Sequence, residues 1–278
     1  MARRFWEFVK RTLFFQRLRF FADGLGNALT FPISVGATTI LLAGRPTPEG
    51  MLDIIEGQQP SIFCCVPNLY GAVVAALANR ALSAHRLRLC ISAGAALPAD
   101  IGHPWRGLFG VDILDGVGST EMLHIFLSNR EGVVTYGTSG IAVPGYKLRC
   151  VTEKGKEIVP GELGELLVKG GSSADGYCNQ RAKSRETFEG VWTRAGDKYK
   201  ISEAGHYIYW GRTDDMFKVL GVWLSPFEVE QALFQIQRCW KLLWWRIWTR
   251  RVWKSPKPFW CLTAVSRPQA YRTNCKIL

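Results

Sequence analysis

The feature that most constrains this chain is a rhythm of short apolar runs separated by helix-start signals. Ala37-Thr-Thr-Ile-Leu-Leu42 is apolar, β-branched and of strand length. Thr47-Pro48-Glu49 follows, and its capping hydroxyl, first-turn proline and acid near the positive end of the helix dipole predict a helix start. Ser61–Val66 is the next strand-like run, and Pro67 opens an Ala-rich helix expected to reach about Arg80. Leu87–Ser92 and Val111–Leu114 supply two more strands, with a helix starting at Pro98 between them. Strands alternating with helices at this spacing predict a doubly wound α/β subdomain, a parallel sheet covered on both faces. From about Val133 the rhythm changes to short β segments at Tyr146–Val151, Glu165–Val168 and His206–Trp210, separated by turns such as Val159-Pro160-Gly161-Glu162. That pattern predicts a small antiparallel or barrel-like β subdomain.

The 278 residues are 47% hydrophobic and 21% charged, which excludes a disordered or collagen-like polymer. The net charge of +12 points toward nucleic acid or membrane until it is placed along the chain. Residues 1–20 carry +5 and residues 231–278 carry +10, which leaves −3 for residues 21–230. The basic character belongs to the two ends. Eight cysteines form no C-x-x-C and no metal-like pairing with the four histidines, arguing against a zinc site or a disulfide scaffold. Cys64 and Cys65 lie in the apolar run SIFCCV and are expected to be buried thiols. A reducing cytoplasm is the expected compartment. No uninterrupted apolar window of about 20 residues occurs, so no membrane span is expected.

Chemistry in an open α/β sheet belongs in the loops at the carboxyl ends of the strands. Asp115-Gly-Val-Gly-Ser-Thr-Glu121 directly follows one predicted strand. Its glycines allow backbone to approach a phosphate, Ser119 and Thr120 offer donors, and Glu121 can hold a metal. The competing reading is a capped strand-to-helix turn. A second loop, Ser92-Ala-Gly-Ala-Ala-Leu-Pro98, follows the preceding strand and offers a flat wall for a base.

Three further motifs follow in order: Trp192-Thr-Arg-Ala-Gly-Asp197, Gly211-Arg-Thr-Asp-Asp-Met-Phe-Lys-Val-Leu-Gly221 and Val222-Trp-Leu-Ser-Pro-Phe-Glu-Val-Glu230. With the loop ending at Glu121, they resemble the adenylate-forming (AMP-binding) superfamily of acyl-CoA synthetases, adenylation domains and luciferases. The runs Phe21-Ala-Asp-Gly-Leu-Gly-Asn-Ala-Leu-Thr-Phe-Pro32 and Asp112-Ile-Leu-Asp-Gly-Val-Gly-Ser-Thr-Glu-Met-Leu-His124 resemble its benzoate-CoA ligase branch. The resemblance covers roughly residues 20–233.

The resemblance implies a two-step reaction. A carboxylate attacks the α-phosphate of Mg-ATP to give an acyl-adenylate and pyrophosphate, and the thiol of coenzyme A then displaces AMP. It implies that Gly94, Ala95 and Ala96 line the adenine pocket with Asp115 and Gly116. Thr120 would contact the α-phosphate, beside Gly118 and Ser119 in the nucleotide loop, and Glu121 the magnesium. Asp197 would accept the ribose hydroxyls, as a carboxylate's two oxygens suit, and Arg212 would help hold ribose and phosphate. Asp214 matches the hinge of a mobile C-terminal domain, and Lys218 and Gly221 the loop that enters for thioester formation. The aryl pocket would be walled by Ala22, Asp23, Gly24, Gly118, His124 and Ile125. Taken singly these residues have plainer readings: Asp197 after Gly196 closes a turn, and His124 is a packed ring.

The sequence also departs from the family pattern. No Ser/Thr/Gly-rich phosphate loop with its lysine occurs, and the family sequence stops near Leu233 instead of continuing to a Gly-Lys segment. Asp23 stands where the branch commonly has Tyr, and a carboxylate in an apolar aryl pocket is costly to desolvate and repels a benzoate anion. The expected organisation is a non-family basic extension (1–18), an α/β subdomain (19–130), a β subdomain (131–213), a hinge with the start of the C-terminal domain (214–233) and a non-family tail (234–278). Six of the eleven tryptophans lie in that tail and acids vanish after Glu230, so both ends read as translation from a shifted frame. An amphipathic membrane-surface helix through Phe5, Phe8, Val9, Leu13 and Phe15, and a nucleic-acid-binding tail around Trp244–Lys254, are the alternatives. The resemblance therefore implies an AMP-forming aryl-CoA ligase, expected to be inactive as this fragment. The alternatives are a non-catalytic fragment with residual nucleotide or aryl-acid binding, and a basic-tailed binding protein.

Overall fold

The computed structural model describes residues 13–16, 26–42, 44, 46–219, 222–225, 242–243 and 259–260, with the strands at 13–16, 217–219, 222–224, 242–243 and 259–260 given by their backbone course. The chain divides into two compact units, each described by itself: Met1–Ala195 with Tyr199–Tyr209, and Gly196–Lys198 with Trp210–Leu278.

The first unit contains a seven-stranded sheet in the order β2-β1-β3-β4-β5-β6-β7. Its strands are β1 (Leu13–Gln16), β2 (Thr38–Leu41), β3 (Ile62–Cys65), β4 (Leu89–Ala93), β5 (Ile113–Gly118), β6 (Ile125–Ser128) and β7 (Ile141–Ala142). β1 to β5 pair in parallel, and β6 and β7 add an antiparallel edge. Between the parallel strands run the helices α2 (Pro48–Gln58), α3 (Pro67–Ala76) and α4 (Ala99–Phe109). Thr47 caps α2 as its sequence predicts, its Oγ1 accepting from Gly50 N at 3.1 Å.

Alternate side chains of the buried strands enter different cores, as strand geometry demands. Phe63, Cys65, Cys90 and Ile113 pack with Met51, Tyr70, Trp105 and Phe109 of α2–α4. Ile62, Cys64, Leu89, Ile91 and Leu114 form a second cluster, against which pack Phe31 and Val35 of the short α1 (Phe31–Val35). The sheet is thus covered on both faces, the doubly wound arrangement expected. Cys64, Cys65, Cys90 and Cys150 are buried and form no disulfide, and burial pushes the Cys64 thiol well above its ordinary value, so these are packing residues.

A five-stranded sheet follows, in the order β10-β11-β9-β8 with β12 on β11. Its members are β8 (Lys147–Val151), β9 (Leu163–Lys169), β10 (Phe188–Glu189), β11 (Trp192–Ile201) and β12 (Tyr207–Arg212), with the helix α5 (Arg181–Thr187) before β10. It is an open sheet and no closed barrel is formed among the described residues. Its core joins Cys150, Leu166, Val168 and Tyr199 to Met122, Phe126 and Leu127.

The structure corrects the sequence reading in several places. Leu13–Gln16 is a strand held between β2 and β3, not part of an amphipathic helix face. β5 extends to Gly118, so Asp115–Gly118 belongs to the strand, where Ser92 pairs with Asp115 and Ala93 with Gly116. The turn beyond it leads to β6, not into a helix. Asp197 lies inside the ten-residue β11, whose polar and small residues (Thr193, Ala195, Gly196) conceal its period. The expectations for residues 1–12 and most of 234–278 lie outside the described residues.

An aromatic stack fixes the α3–α4 face: Trp105 stacks on Phe109 at 3.8 Å and meets Tyr70 edge-on at 4.7 Å. The Tyr70 hydroxyl lies 2.9 and 3.0 Å from the carbonyls of Phe63 and Ile91 and donates to them, tying α3 to β3 and β4. Tyr70→Phe, which keeps the ring, should cost about 1–2 kcal/mol, and Tyr70→Ala about 3–5 kcal/mol. Urea unfolding of the two variants checks this, and equal losses would deny the hydroxyl its role.

Candidate active site

Parallel pairing of β4 with β5 sets the carboxyl ends of these strands side by side. Gly94 begins the turn after β4 with φ of 90°, a conformation that suits glycine. Gly94 and Ala95 are exposed and Ala96 is half-buried, which leaves a shelf of small residues. Beside it Asp115 is buried, with 3% exposure. Its Oδ2 accepts from Ser139 Oγ at 3.1 Å, and the backbone N–H of Leu97 also bonds the carboxylate. Oδ1 is buried without a hydrogen-bond partner. Desolvation outweighs the two hydrogen bonds and pushes the carboxyl up to about 7. Gly116 has no room for a side chain, since a Cβ there would stand 2.5 Å from Ile125 Cδ1.

The turn Ser119–His124 carries the next group. Thr120 is exposed, and Ser119, Gly118 and Glu121 are half-buried. Met122 N donates to Ser119 Oγ at 3.3 Å, and Leu123, 65% exposed, adopts the left-handed φ of 67° that non-glycine residues seldom hold. Tyr177 OH donates to Glu121 Oε1 at 2.5 Å. Burial alone would raise the Glu121 carboxyl. Hydrogen bonds from Tyr177, from its own N–H and from Ser119, with the charge of Lys183, outweigh it and hold the group below its ordinary value. A single half-exposed carboxylate fits magnesium, which is commonly held by one or two carboxylates together with substrate phosphates. Among the described residues no cluster of three or more His, Cys, Asp or Glu offers an all-protein cage.

His124 is buried, and its Nε2 donates to Asn27 Oδ1 at 3.2 Å. Burial pushes the imidazole down to about 3, so the ring is neutral. Phe31 meets it edge-on at 4.6 Å, and Gly26 must lack a side chain because a Cβ would stand 2.8 Å from His124 Cδ2. Gly26–Thr30 forms a π-helical turn, an element frequent at functional sites. Asn27 Nδ2 is buried without a hydrogen-bond partner. Ile125 is buried in the second cluster of the main sheet. Ala22, Asp23, Gly24 and Gly221 lie outside the described residues.

In the second unit, Arg212 Nη1 donates to Asp197 Oδ1 at 3.2 Å. Burial pushes Asp197 up to about 6 against the pull of Arg212. Gly196 has φ of 71°, and its carbonyl accepts from Thr213 N. Asp214 is exposed in the turn after β12. Lys218 pairs by backbone with Trp223, in the hairpin of β13 (Phe217–Val219) and β14 (Val222–Leu224).

Three residues at these sites went unassigned in the sequence reading. Asn27 is a polar residue in the apolar run Leu-Gly-Asn-Ala-Leu, which is a usable signal. Ser139 and Tyr177 reach Asp115 and Glu121 only through tertiary contacts.

These features define an adenylate-forming fold with a carboxylate-bearing strand end. Residues 10–178 match the AMP-binding enzyme family, so the match includes residues 10–18 that the sequence reading assigned to an extension. The chain belongs to the AMP-binding enzyme family. It is 54% identical over 215 residues to a 4-hydroxybenzoate–CoA/benzoate–CoA ligase of Rhodopseudomonas palustris, a match covering 77% of this chain and 40% of that protein. The crystal structure of a benzoate CoA ligase from Burkholderia xenovorans LB400 superposes with a TM-score of 0.85 at 42% identity, covering 97% of this chain and 54% of that one. ATP-bound MatB from Rhodopseudomonas palustris superposes with a TM-score of 0.75 at 26% identity, over 83% of this chain and 46% of that one. The chain thus spans well under two thirds of each protein's length.

Asp115 gives a pH signature. Its carboxyl moves from an ordinary 3.8 to about 7 on folding, so the fold favours the protonated form, and that contribution is full below pH 4 and lost as pH rises to 7. Relative to Asp115→Asn, the protein should lose about 3 kcal/mol of stability between pH 4 and 7. Denaturant unfolding across that range measures it, and parallel profiles would contradict the burial.

Proposed function

We propose that this chain carries part of an AMP-forming ligase that activates an aromatic carboxylate with ATP and passes the acyl group to coenzyme A. The observation that carries this reading is a pair of unlike carboxylates on one strand and its turn. Asp115 is buried with an unpartnered oxygen, and Glu121 is half-exposed and held ionised. An exocyclic amine of adenine is the complement of the first, and the cation of a metal nucleotide that of the second. The kinship with benzoate–CoA ligases and the likeness to an ATP-bound relative support both assignments.

In this reading Gly94, Ala95 and Ala96 form the flat wall of the base, with Asp115 and Gly116 at its edge. Gly118, Ser119 and Thr120 present donors to the α-phosphate, and Glu121 holds the magnesium, which when bound neutralises phosphate charge. Asp197 accepts the ribose hydroxyls while Arg212 restrains it and reaches phosphate. The acid's oxygen attacks the α-phosphorus and the bond to pyrophosphate breaks. The thiol sulfur then attacks the acyl carbon and AMP leaves. Asp214 serves as hinge, and Lys218 and Gly221 belong to the loop that enters for the thioester step. His124, neutral and fixed by Asn27, faces the acid together with Ala22, Asp23, Gly24, Gly118 and Ile125. The subdivision at 130, 213 and 233 and a cytoplasmic location belong to the same proposal. Among the described residues no helix is long and apolar enough to cross a membrane.

The phosphate loop and lysine that the resemblance implies have no match in residues 20–233, and charge developing on a transferring phosphoryl group needs preorganised cations. The purified chain is therefore expected to make no measurable benzoyl-CoA from benzoate, ATP and coenzyme A. Thioester formation that Glu121→Ala abolishes would overturn that. Acid-dependent ATP–pyrophosphate exchange separates residual adenylation from mere binding, and salt-sensitive retention on anionic liposomes or nucleic acid would instead favour a basic binding protein. Asp23→Tyr should raise benzoate affinity, since it removes a carboxylate and restores an aromatic wall. Calorimetric titration decides this, and equal or weaker binding by the folded variant counts against the pocket assignment.

A further inference from the structure

The loop after β9 is tied to the Ser119–His124 turn by contacts that the proposed reaction leaves unused. Ala174 N donates to Glu121 O at 2.8 Å, and Ser172 Oγ donates to Met122 O at 2.8 Å. Tyr146 OH lies 2.8 Å from Ser172 Oγ and steadies it. Tyr177 OH reaches the Glu121 carboxylate itself, at 2.5 Å. One loop therefore grips Glu121 at both its backbone and its side chain.

Tyr177 is itself held by several contacts. Its backbone N donates to Ser184 Oγ at 2.8 Å, its ring packs against Phe188 with centroids 5.5 Å apart, and Lys183 Nζ stands 4.5 Å over the ring. Thr187 hydrogen-bonds the same phenol oxygen. A phenol held at its backbone, its ring and its oxygen is a well-placed donor, whereas a glutamate left alone samples many rotamers and must be ordered when it binds.

We propose that Tyr177 is a positioning residue for the divalent cation of the bound nucleotide, aiming the Glu121 carboxylate by holding Oε1. The inference rests on the reading that Glu121 takes that cation. Partners one shell out from a metal are known to tune affinity by ten- to a hundredfold. Tyr177 acts through Glu121 and touches neither nucleotide nor acid.

The test uses Mn2+ as a paramagnetic stand-in for Mg2+, with ATP binding to the chain measured in Mn2+ and again in a chelator. Tyr177→Phe keeps the ring and its packing. It should weaken binding of Mn2+-ATP about tenfold and leave metal-free ATP binding unchanged. Glu121→Gln should weaken the metal-dependent binding at least as much, and adding Tyr177→Phe to it should cost nothing more, the mark of two residues acting as one unit. Loss by Glu121→Gln with no loss, or a gain, by Tyr177→Phe overturns the positioning role and spares the nucleotide reading. Equal loss with and without metal shows a merely structural tyrosine and also overturns it. No metal-dependent binding by the unmodified chain, or none sensitive to Glu121→Gln, overturns the reading and the inference together.

Discussion

The placing of the Gly94–Ala96 turn beside Asp115 depends on the parallel pairing of β4 with β5. Two parallel neighbours need a crossover, and here it is α4, whose Trp105 and Phe109 lock into the same core as Phe63 and Tyr70. The crossover returns the chain so that Ser92 lies opposite Asp115 and Ala93 opposite Gly116. Turns separated by more than twenty residues in sequence thereby emerge at one edge. Because β6 then folds back antiparallel on β5, the chain reverses at once, and Ser119–His124 is held as a tight turn at that edge.

The two carboxylates of this segment show how local surroundings divide labour. Asp115 loses more to desolvation than Ser139 and Leu97 return, and its carboxyl rises to about 7. Glu121, six residues on, gains more from Tyr177, its own N–H, Ser119 and Lys183 than burial removes, and its carboxyl falls. The first is suited to a neutral donor such as an amine. The second keeps its charge. No property of the residue type makes that difference, since both are plain carboxylates in a glycine-rich stretch.

The parallel strands β2–β4 and the start of β5 were legible because short apolar or β-branched runs mark them, and a proline stands at or just before the first residue of each of α2–α4. β1 was not, because Leu13–Gln16 sits among arginines that suggest a surface helix, and its place between β2 and β3 is set by pairing alone. The loops were legible as motifs, yet the border between strand and loop was not. Asp115–Gly118 looks like a loop by composition, and only hydrogen bonding to both β4 and β6 makes it strand. Asp115, Glu121, Asp197 and Arg212 could be picked from sequence order by resemblance. The residues that hydrogen-bond the first two of these carboxylates, Ser139 and Tyr177, could not, because 24 and 56 residues separate them from the groups they bond.

Met122 shows which part of the fold positions the turn. Although the turn leaves the parallel sheet, Met122 is buried with Leu166, Val168 and Tyr199 of the second sheet, and its carbonyl and that of Glu121 accept bonds from Ser172 and Ala174. The left-handed Leu123 and the bend that follows are held against their own preference by those anchors. The Asp115 end of the segment is therefore fixed by the α/β core, and the Glu121 end by the β subdomain. A shift of the second sheet against the first would move Glu121 while leaving Asp115 and the Gly94–Ala96 turn in place. Geometry at the Glu121 end thus depends on how well the two cores are seated, and the loop after β9 bonds Glu121, through Ala174 N and Tyr177 OH.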